Sequence, residues 1–165
     1  MSTIRCTSKD AGTLLSNAGG IRGVESGEEG SGAVSQVVAA LQGECHGYAS
    51  RTGTRVNFSP QNVPDDIPED IALCVYRVAQ EAMQNIWKHA ESSRVDVILK
   101  AANEEIDLVV EDFGKGFDVE AARGKGGLGL ISMQERVRLV GGELLLRTKA
   151  GDGTLVQLSI PLRRH

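Results

Sequence analysis

The stretch Gln80-Glu-Ala-Met-Gln-Asn-Ile-Trp-Lys-His-Ala90 decides how this chain is read. Glu81 and Asn85 stand four residues apart, with Lys88 and His89 one turn further on. On a helix these four share a face, so a carboxylate, an amide, an ammonium and an imidazole point the same way. Ile71, Val75, Val78, Ala82 and Ile86 fall on an adjoining apolar face and predict a long, core-facing helix. A polar stripe beside such a face is either a solvated rim or the floor of a polar site. Taken alone, Glu81 and Asn85 favour the rim, and the glycine-rich segments downstream must decide.

The totals narrow the choice. A chain of 165 residues with 41% hydrophobic content has enough apolar material for one domain with a real core. Its net charge of −4 carries no basic footprint for nucleic acid, and 4% aromatic residues leave little for base-stacking platforms. No apolar run is long enough to span a membrane, and the N-terminus lacks the basic-then-apolar pattern of a signal peptide. Cys6, Cys45 and Cys74 are widely spaced and include no Cys-x-x-Cys pair, which argues against metal or disulfide roles. Cys74, inside an apolar run, reads as core, and a reducing cytosol is the natural setting.

Outward from the opening stretch, residues 1–33 are glycine- and serine-rich and keep no period, so a flexible lead, linker or non-native segment is expected there. The domain is expected over 34–165. Val34, Val37, Val38, Leu41, Cys45 and Tyr48 follow helical spacing, and Gly53 ends that helix. Thr54 to Phe58 alternates as a short strand, and Ser59 to Pro68, with three prolines, reads as a loop. Pro68, Glu69 and Asp70 suit the start of the long helix, since proline fits the first turn and acids fit its positive dipole end. Arg94–Leu99 and Glu105–Val110 read as two strands around a short turn. Leu128 to about Val140 is helical and stops at Gly141-Gly142; Glu143–Arg147 and Thr154–Ile160 are strands about a Gly151-Asp-Gly153 turn. Three helices against about five strands predict an α/β two-layer sandwich.

Common nucleotide motifs do not account for the glycines. No Gly-x-x-x-x-Gly-Lys-Ser/Thr run exists. Gly124-x-Gly126-x-x-Gly129 fits the dinucleotide pattern, with Glu143 at a suitable distance, but no strand leads into it and Glu143 begins a strand rather than ending one. What remains is coherent. Asp112 ends a strand, and Gly114 and Gly116 follow it at two-residue spacing, where backbone can approach a flat ligand and a carboxylate can accept from an exocyclic amine. Gly126, Gly127 and Gly129 lead into a helix N-terminus, whose free N–H groups and dipole favour phosphate. Together they point to a purine nucleotide. The Glu81/Asn85 stripe then supplies the metal side, because Mg²⁺ prefers oxygen ligands.

These motifs resemble the GHKL superfamily of gyrase, heat-shock chaperone, histidine kinase and MutL. Glu81-x-x-x-Asn85-x-x-Lys88-His89-Ala90 is similar to its N-box, Asp112-x-Gly114-x-Gly116 to its first glycine box, and Gly127-Leu-Gly-Leu130 to its second. Gly151-x-Gly153-Thr154 is similar to its last element. Four motifs in order over about 34–162 make the resemblance specific for the fold, and details such as Gly141-Gly142-Glu143-Leu144 are most similar to the nitrate/nitrite-sensor group of bacterial sensor histidine kinases. The resemblance implies the Bergerat ATP-binding fold, with ATP and Mg²⁺ as ligands. It implies that Asn85 holds Mg²⁺ and that Glu81 acts at the γ-phosphate, with Lys88 and His89 facing the phosphates. Asp112 would read the adenine amine with Thr154 nearby, Gly114 and Gly116 would line the base, and Gly126, Gly127, Leu128, Gly129 and Leu130 would hold phosphates. Lys125, on the expected ATP lid, is a further candidate contact.

Blander roles stand beside these. His89 could cap the helix C-terminus, and Lys125 and Arg123 could be solvated loop charges. Trp87, Met83 and Met133 read as packing residues. His46, in Glu44-Cys-His-Gly47 near a helix end, lacks the setting of a phosphoacceptor. The expectation is therefore the catalytic domain of a protein-histidine kinase, incomplete for autophosphorylation by itself. Its partners would be a separate dimerisation and phosphoacceptor domain and, indirectly, a response regulator. It would lie in the cytosol, whether or not its parent is membrane-anchored. The alternatives are a GHKL switch protein such as an anti-sigma serine kinase, and a nucleotide-binding pseudo-kinase.

Overall fold

The computed structural model describes residues 2–6, 35–116 and 128–163. Six strands, β1 (Ser2–Cys6), β2 (Arg55–Gln61), β3 (Arg94–Ala102), β4 (Glu105–Asp112), β5 (Glu143–Lys149) and β6 (Gly153–Pro161), form one sheet in the order β1-β5-β6-β4-β3-β2. β2 and β3 are parallel and every other pair is antiparallel, so the sheet is mixed. The described helices are α1 (Gln36–Thr52), α2 (Glu69–His89) and α3 (Leu128–Leu139). All three pack on one face of the sheet, which makes the expected two-layer α/β sandwich.

Local chemistry explains the boundaries. α1 ends at Gly53, in the left-handed region at φ 68°, where its N–H donates to the Ala49 carbonyl. α2 starts after Pro68, with Glu69 and Asp70 in its first turn and Lys88 and His89 in its last, each charge at the dipole end that favours it. α3 closes with Gly142 N–H donating to Val137 and Gly141 N–H to Arg138, the paired bonds of a Schellman ending. Asn103 and Glu104 both take positive φ between β3 and β4, the handedness a two-residue hairpin turn needs.

The period of two in the strands places the core. Ile106, Leu108 and Val110 of β4 are fully buried beneath the helices, and Asp112 is the next residue on the same face. Thr154, Val156, Leu158 and Ile160 form the matching row on β6, and register sets Asp112 opposite Thr154. One end of an otherwise apolar face therefore carries buried polar residues: Asp112, Thr154 and Thr148 of β5. On α2 the buried stripe Ile71, Val75, Val78, Ala82 and Ile86 lies against this core, as the spacing predicts.

Three features differ from the sequence expectation. Ser2–Cys6, inside a segment expected to be irregular, forms edge strand β1 against β5 and adds a sixth strand. β2 runs through Ser59, Pro60 and Gln61, which read as loop; Pro60 is tolerated because β2 is the opposite edge strand, paired on one side alone, where proline's missing donor costs least. Trp87 is not packed: it is 58% exposed and borders a groove of about 310 Å³ between α1 and α2, beside Tyr48 and Arg51. Met83 and Met133 are core, as expected.

Candidate functional site

The polar end of the sheet is where the motifs meet. Asp112 is 1% exposed. Its Oδ1 accepts the Gly114 N–H at 2.8 Å, closing an Asx turn that bends the chain away from the sheet. Its Oδ2 is buried and has no hydrogen-bond partner. Burial raises the pKa of this carboxyl, opposed by the Gly114 N–H and by the nearby Thr154. A buried, unpaired carboxylate oxygen carries a desolvation cost of about 1–3 kcal/mol, so this atom is poised to accept from any donor that reaches it. Thr154, opposite in register, has its hydroxyl 3.1 Å from that of Thr148, and Thr148 also donates to the Gly153 carbonyl at 3.4 Å.

The glycines allow close approach at this end. A Cβ on Gly114 would collide with the Ala90 carbonyl at the end of α2, and one on Gly153 would strike the Asp112 carbonyl. Gly153 also sits at φ 80° and Gly116 at φ 66°, backbone that favours glycine. Lys115 ties the segments together through its backbone: its N–H donates to the Ala90 carbonyl at 2.8 Å, and its carbonyl accepts the Gly151 N–H at 2.6 Å. Its ammonium also pairs with Glu91 at 2.9 Å. The end of α2, the Asp112 turn and the Gly151–Gly153 turn are thus one hydrogen-bonded unit.

α2 contributes the polar stripe. Glu81 and Asn85 are half-buried, and Lys88 and His89 are exposed. A Cβ on Gly129 would overlap the Glu81 carboxylate, so that side chain lies directly against the first turn of α3. Amide groups in a first turn lack intrahelical acceptors and are partly positive, which suits an acid or a phosphate there. Leu130 is 7% exposed and packs in the core, so beside Gly129 it can offer a ligand only its backbone. Leu128 begins α3. Lys125, Gly126 and Gly127 lie outside the described residues, and no grouping of three or more His, Cys, Asp or Glu able to hold a metal occurs among the described ones.

The structure thus brings together Asp112, Gly114 and Thr154 at one end of the sheet, and Glu81 with Gly129 where α2 meets α3. Asn85 lies between Glu81 and the Ala90 junction on the same helix. Sequence spacing placed Ala90 only at the end of the N-box-like stretch, with no role, and did not single out Lys115 or Thr148. Ala90 and Lys115 act through backbone atoms, for which a sequence holds no signal; Thr148 is one inward position on an alternating strand and carried only that hint.

Comparison with known proteins accords with this geometry. The model of the histidine kinase-, DNA gyrase B-, and HSP90-like ATPase family matches residues 71–164. The chain is 37% identical over 115 residues to the signal transduction histidine-protein kinase/phosphatase DegS of Brevibacillus brevis, covering 70% of this chain and 30% of that protein. It is 35% identical over 124 residues to the sensor histidine kinase MctS of Rhizobium johnstonii, covering 74% and 27%. Among solved structures it superposes on the histidine kinase domain of the blue-light activated histidine kinase of Erythrobacter litoralis EL346 with a TM-score of 0.62, at 26% identity, over 76% of this chain and 65% of that one. The histidine kinase AdeS of Acinetobacter baumannii shares the fold, at TM-score 0.61 and 14% identity, over 76% and 64%. The chain therefore spans less than a third of the length of these curated relatives.

Proposed function

This chain belongs to the histidine kinase-, DNA gyrase B-, and HSP90-like ATPase family, and from that premise we propose that it is the ATP-binding catalytic domain of a sensor histidine kinase. Such a domain binds ATP with Mg²⁺ and delivers the γ-phosphoryl group to a histidine on a separate dimerisation and phosphoacceptor domain. A response regulator would receive the phosphoryl group afterwards. The setting is the cytosol, and no helix among the described residues is long and apolar enough to cross a membrane.

The observation that carries the proposal is the buried, unpartnered Oδ2 of Asp112. An exocyclic amine of adenine would donate to it and remove the cost of leaving it unpaired. Gly114 and Gly116 would line a flat base beside it, and Thr154 adds a hydroxyl on the neighbouring strand. The half-buried Asn85 offers an amide oxygen suited to Mg²⁺, a cation that keeps several waters and needs few protein ligands. When bound, the ion neutralises phosphate charge. Lys88 and His89 on the exposed end of the stripe would face the phosphates, and the N–H groups of Leu128, Gly129 and Leu130, with Gly126 and Gly127 before them, would hold phosphate oxygens. Lys125 is a further candidate in the same loop.

Glu81 is the residue proposed to act in transfer. Its carboxylate lies against the same α3 turn that would hold phosphate, where it can orient the incoming imidazole or take its proton. Phosphoryl transfer asks the protein mainly for positioning and charge neutralisation, which suits a site of glycines, one amide and one acid.

Nucleotide titration with and without Mg²⁺ tests the site. Wild type should bind ATP, Asp112→Ala should abolish detectable binding, and Asn85→Ala should remove the Mg²⁺-dependent part. Undetectable binding by wild type, or binding indifferent to both changes, would defeat the assignment. Transfer to a supplied phosphoacceptor domain then separates a kinase from a nucleotide-binding pseudo-kinase.

A further inference from the structure

Ser92 and Arg94 lie outside every motif of the proposed site, yet both grip Phe113, the middle residue of the Asp112–Gly114 turn. Ser92 Oγ accepts the Phe113 N–H at 3.2 Å and the Arg94 N–H at 3.3 Å, and its own proton goes to the Arg94 carbonyl at 2.6 Å. The Arg94 guanidinium stands 4.6 Å from the centroid of the Phe113 ring. That guanidinium is held from behind: Nε donates to Asp96 Oδ1 at 3.1 Å and Nη2 to Oδ2 at 2.7 Å. Asp96 is 1% exposed and also accepts from Asn57 at 2.8 Å. An interaction chain therefore crosses the sheet's outer face from β2 through β3 to the end of β4.

Phe113 is 51% exposed, so its ring gains little from the core and is held chiefly by this clamp. Neighbouring residues of an extended chain point to opposite faces. Anchoring Phe113 outward, by backbone and by ring, therefore keeps Asp112 aimed inward. We infer that Ser92 and Arg94 are positioning residues that fix the aim of the Asp112 carboxylate and so set the base selectivity of the nucleotide site. The inference rests on Asp112 reading the adenine amine. It also gives a role to the link between α2 and β3: the residue before it, Ala90, already holds Lys115, so both sides of the turn are tied to one short connection.

Base selectivity separates positioning from general support. The full chain is titrated with ATP and with purine riboside triphosphate, which lacks the exocyclic amine. Wild type should prefer ATP, and Asp112→Asn should abolish that preference. Ser92→Ala should cut the preference by about fivefold while leaving affinity for the amine-free nucleotide nearly unchanged, and Ser92→Thr should restore it. Arg94→Ala would strand the buried Asp96 and could unfold the chain, so Phe113→Ala is the companion variant; it removes the stacked ring with the Arg94–Asp96 pair intact and should reduce the preference similarly. If Asp112→Asn abolishes the preference while Ser92→Ala and Phe113→Ala leave it unchanged, or weaken both nucleotides equally, the clamp is refuted and the adenine assignment stands. If Asp112→Asn retains the preference, the adenine assignment fails and the clamp falls with it.

Discussion

Asp112 is buried at the expense of its own ionisation. Burial raises its pKa, so the folded chain holds this proton more readily than the unfolded chain does. The resulting stability is fully present below the unfolded pKa and is lost as pH rises through the raised folded value. The stability of nucleotide-free wild type relative to Asp112→Asn should therefore fall as pH rises from the acid side through the carboxylate range. Thermal melts of the two proteins across pH check this, and a flat difference would contradict it. The glycines of the final turn differ in what they tolerate. Gly151 has φ 89° and open space around its missing Cβ, so Gly151→Ala should cost about 1 kcal/mol of backbone strain. Gly153 has φ 80° and the Asp112 carbonyl in the way, so Gly153→Ala should cost clearly more, about 2–3 kcal/mol in urea unfolding. Both positions were legible as a Gly-Asp-Gly turn. The collision with Asp112 was not, because it depends on the pairing of β4 with β6.

α2 serves two partners at once, the sheet through its buried stripe and α3 through Glu81. Gly129→Ala should leave stability within about 1 kcal/mol, because alanine's helix propensity offsets the shift of a flexible carboxylate. It should nonetheless displace Glu81 and slow transfer by about a hundredfold, the scale expected when a reacting group is misplaced by roughly 1 Å. Phosphotransfer rate beside ATP affinity and thermal melting makes the comparison; unchanged transfer would remove Glu81 from the reaction. On the other side of α2 its buried residues meet those of α1 in the core. Cys45 on α1 is pushed up to about 12 and Cys74 on α2 to about 11, in both cases chiefly by burial. Both thiols should resist a disulfide reagent at neutral pH until the chain unfolds, which a labelling time course in increasing urea would show. The 3.6-residue spacing revealed that α1 and α2 are core-facing, since periodic apolar residues are themselves the cause of burial. It carried no information on Trp87, whose exposure depends on where α1 lies across α2.

The whole sheet is bounded by two edges of different kinds. β2 blunts its edge with Pro60, whereas the β5 edge is covered by the short strand β1. Deleting residues 1–6 should cost little stability, because Thr3 and Arg5 are exposed, but should leave the β5 backbone unpaired and promote self-association. Sedimentation of both forms over a range of concentrations would detect it, and a strictly monomeric deletion would argue against a capping role. The strand partners also show where legibility ended. Periods of two and of 3.6, turn residues and the order of the glycine segments are local, so the sequence by itself determined the elements from α1 to β6 and the two-layer class, and it named Glu81, Asn85, Asp112 and Thr154 as the candidates for the proposed site. Five residues of β1 are too few to show a period, and their place depends on an unpaired edge contributed by residues 143–149. Only the tertiary structure decided that edge pairing, the seat of Glu81 on α3, the orphaned Oδ2 of Asp112 and the grip of Ser92 and Arg94 on Phe113. Each of these arises where backbone or side-chain atoms from distant segments meet, and pairing between distant segments is set by the closed core rather than by any local run of residues.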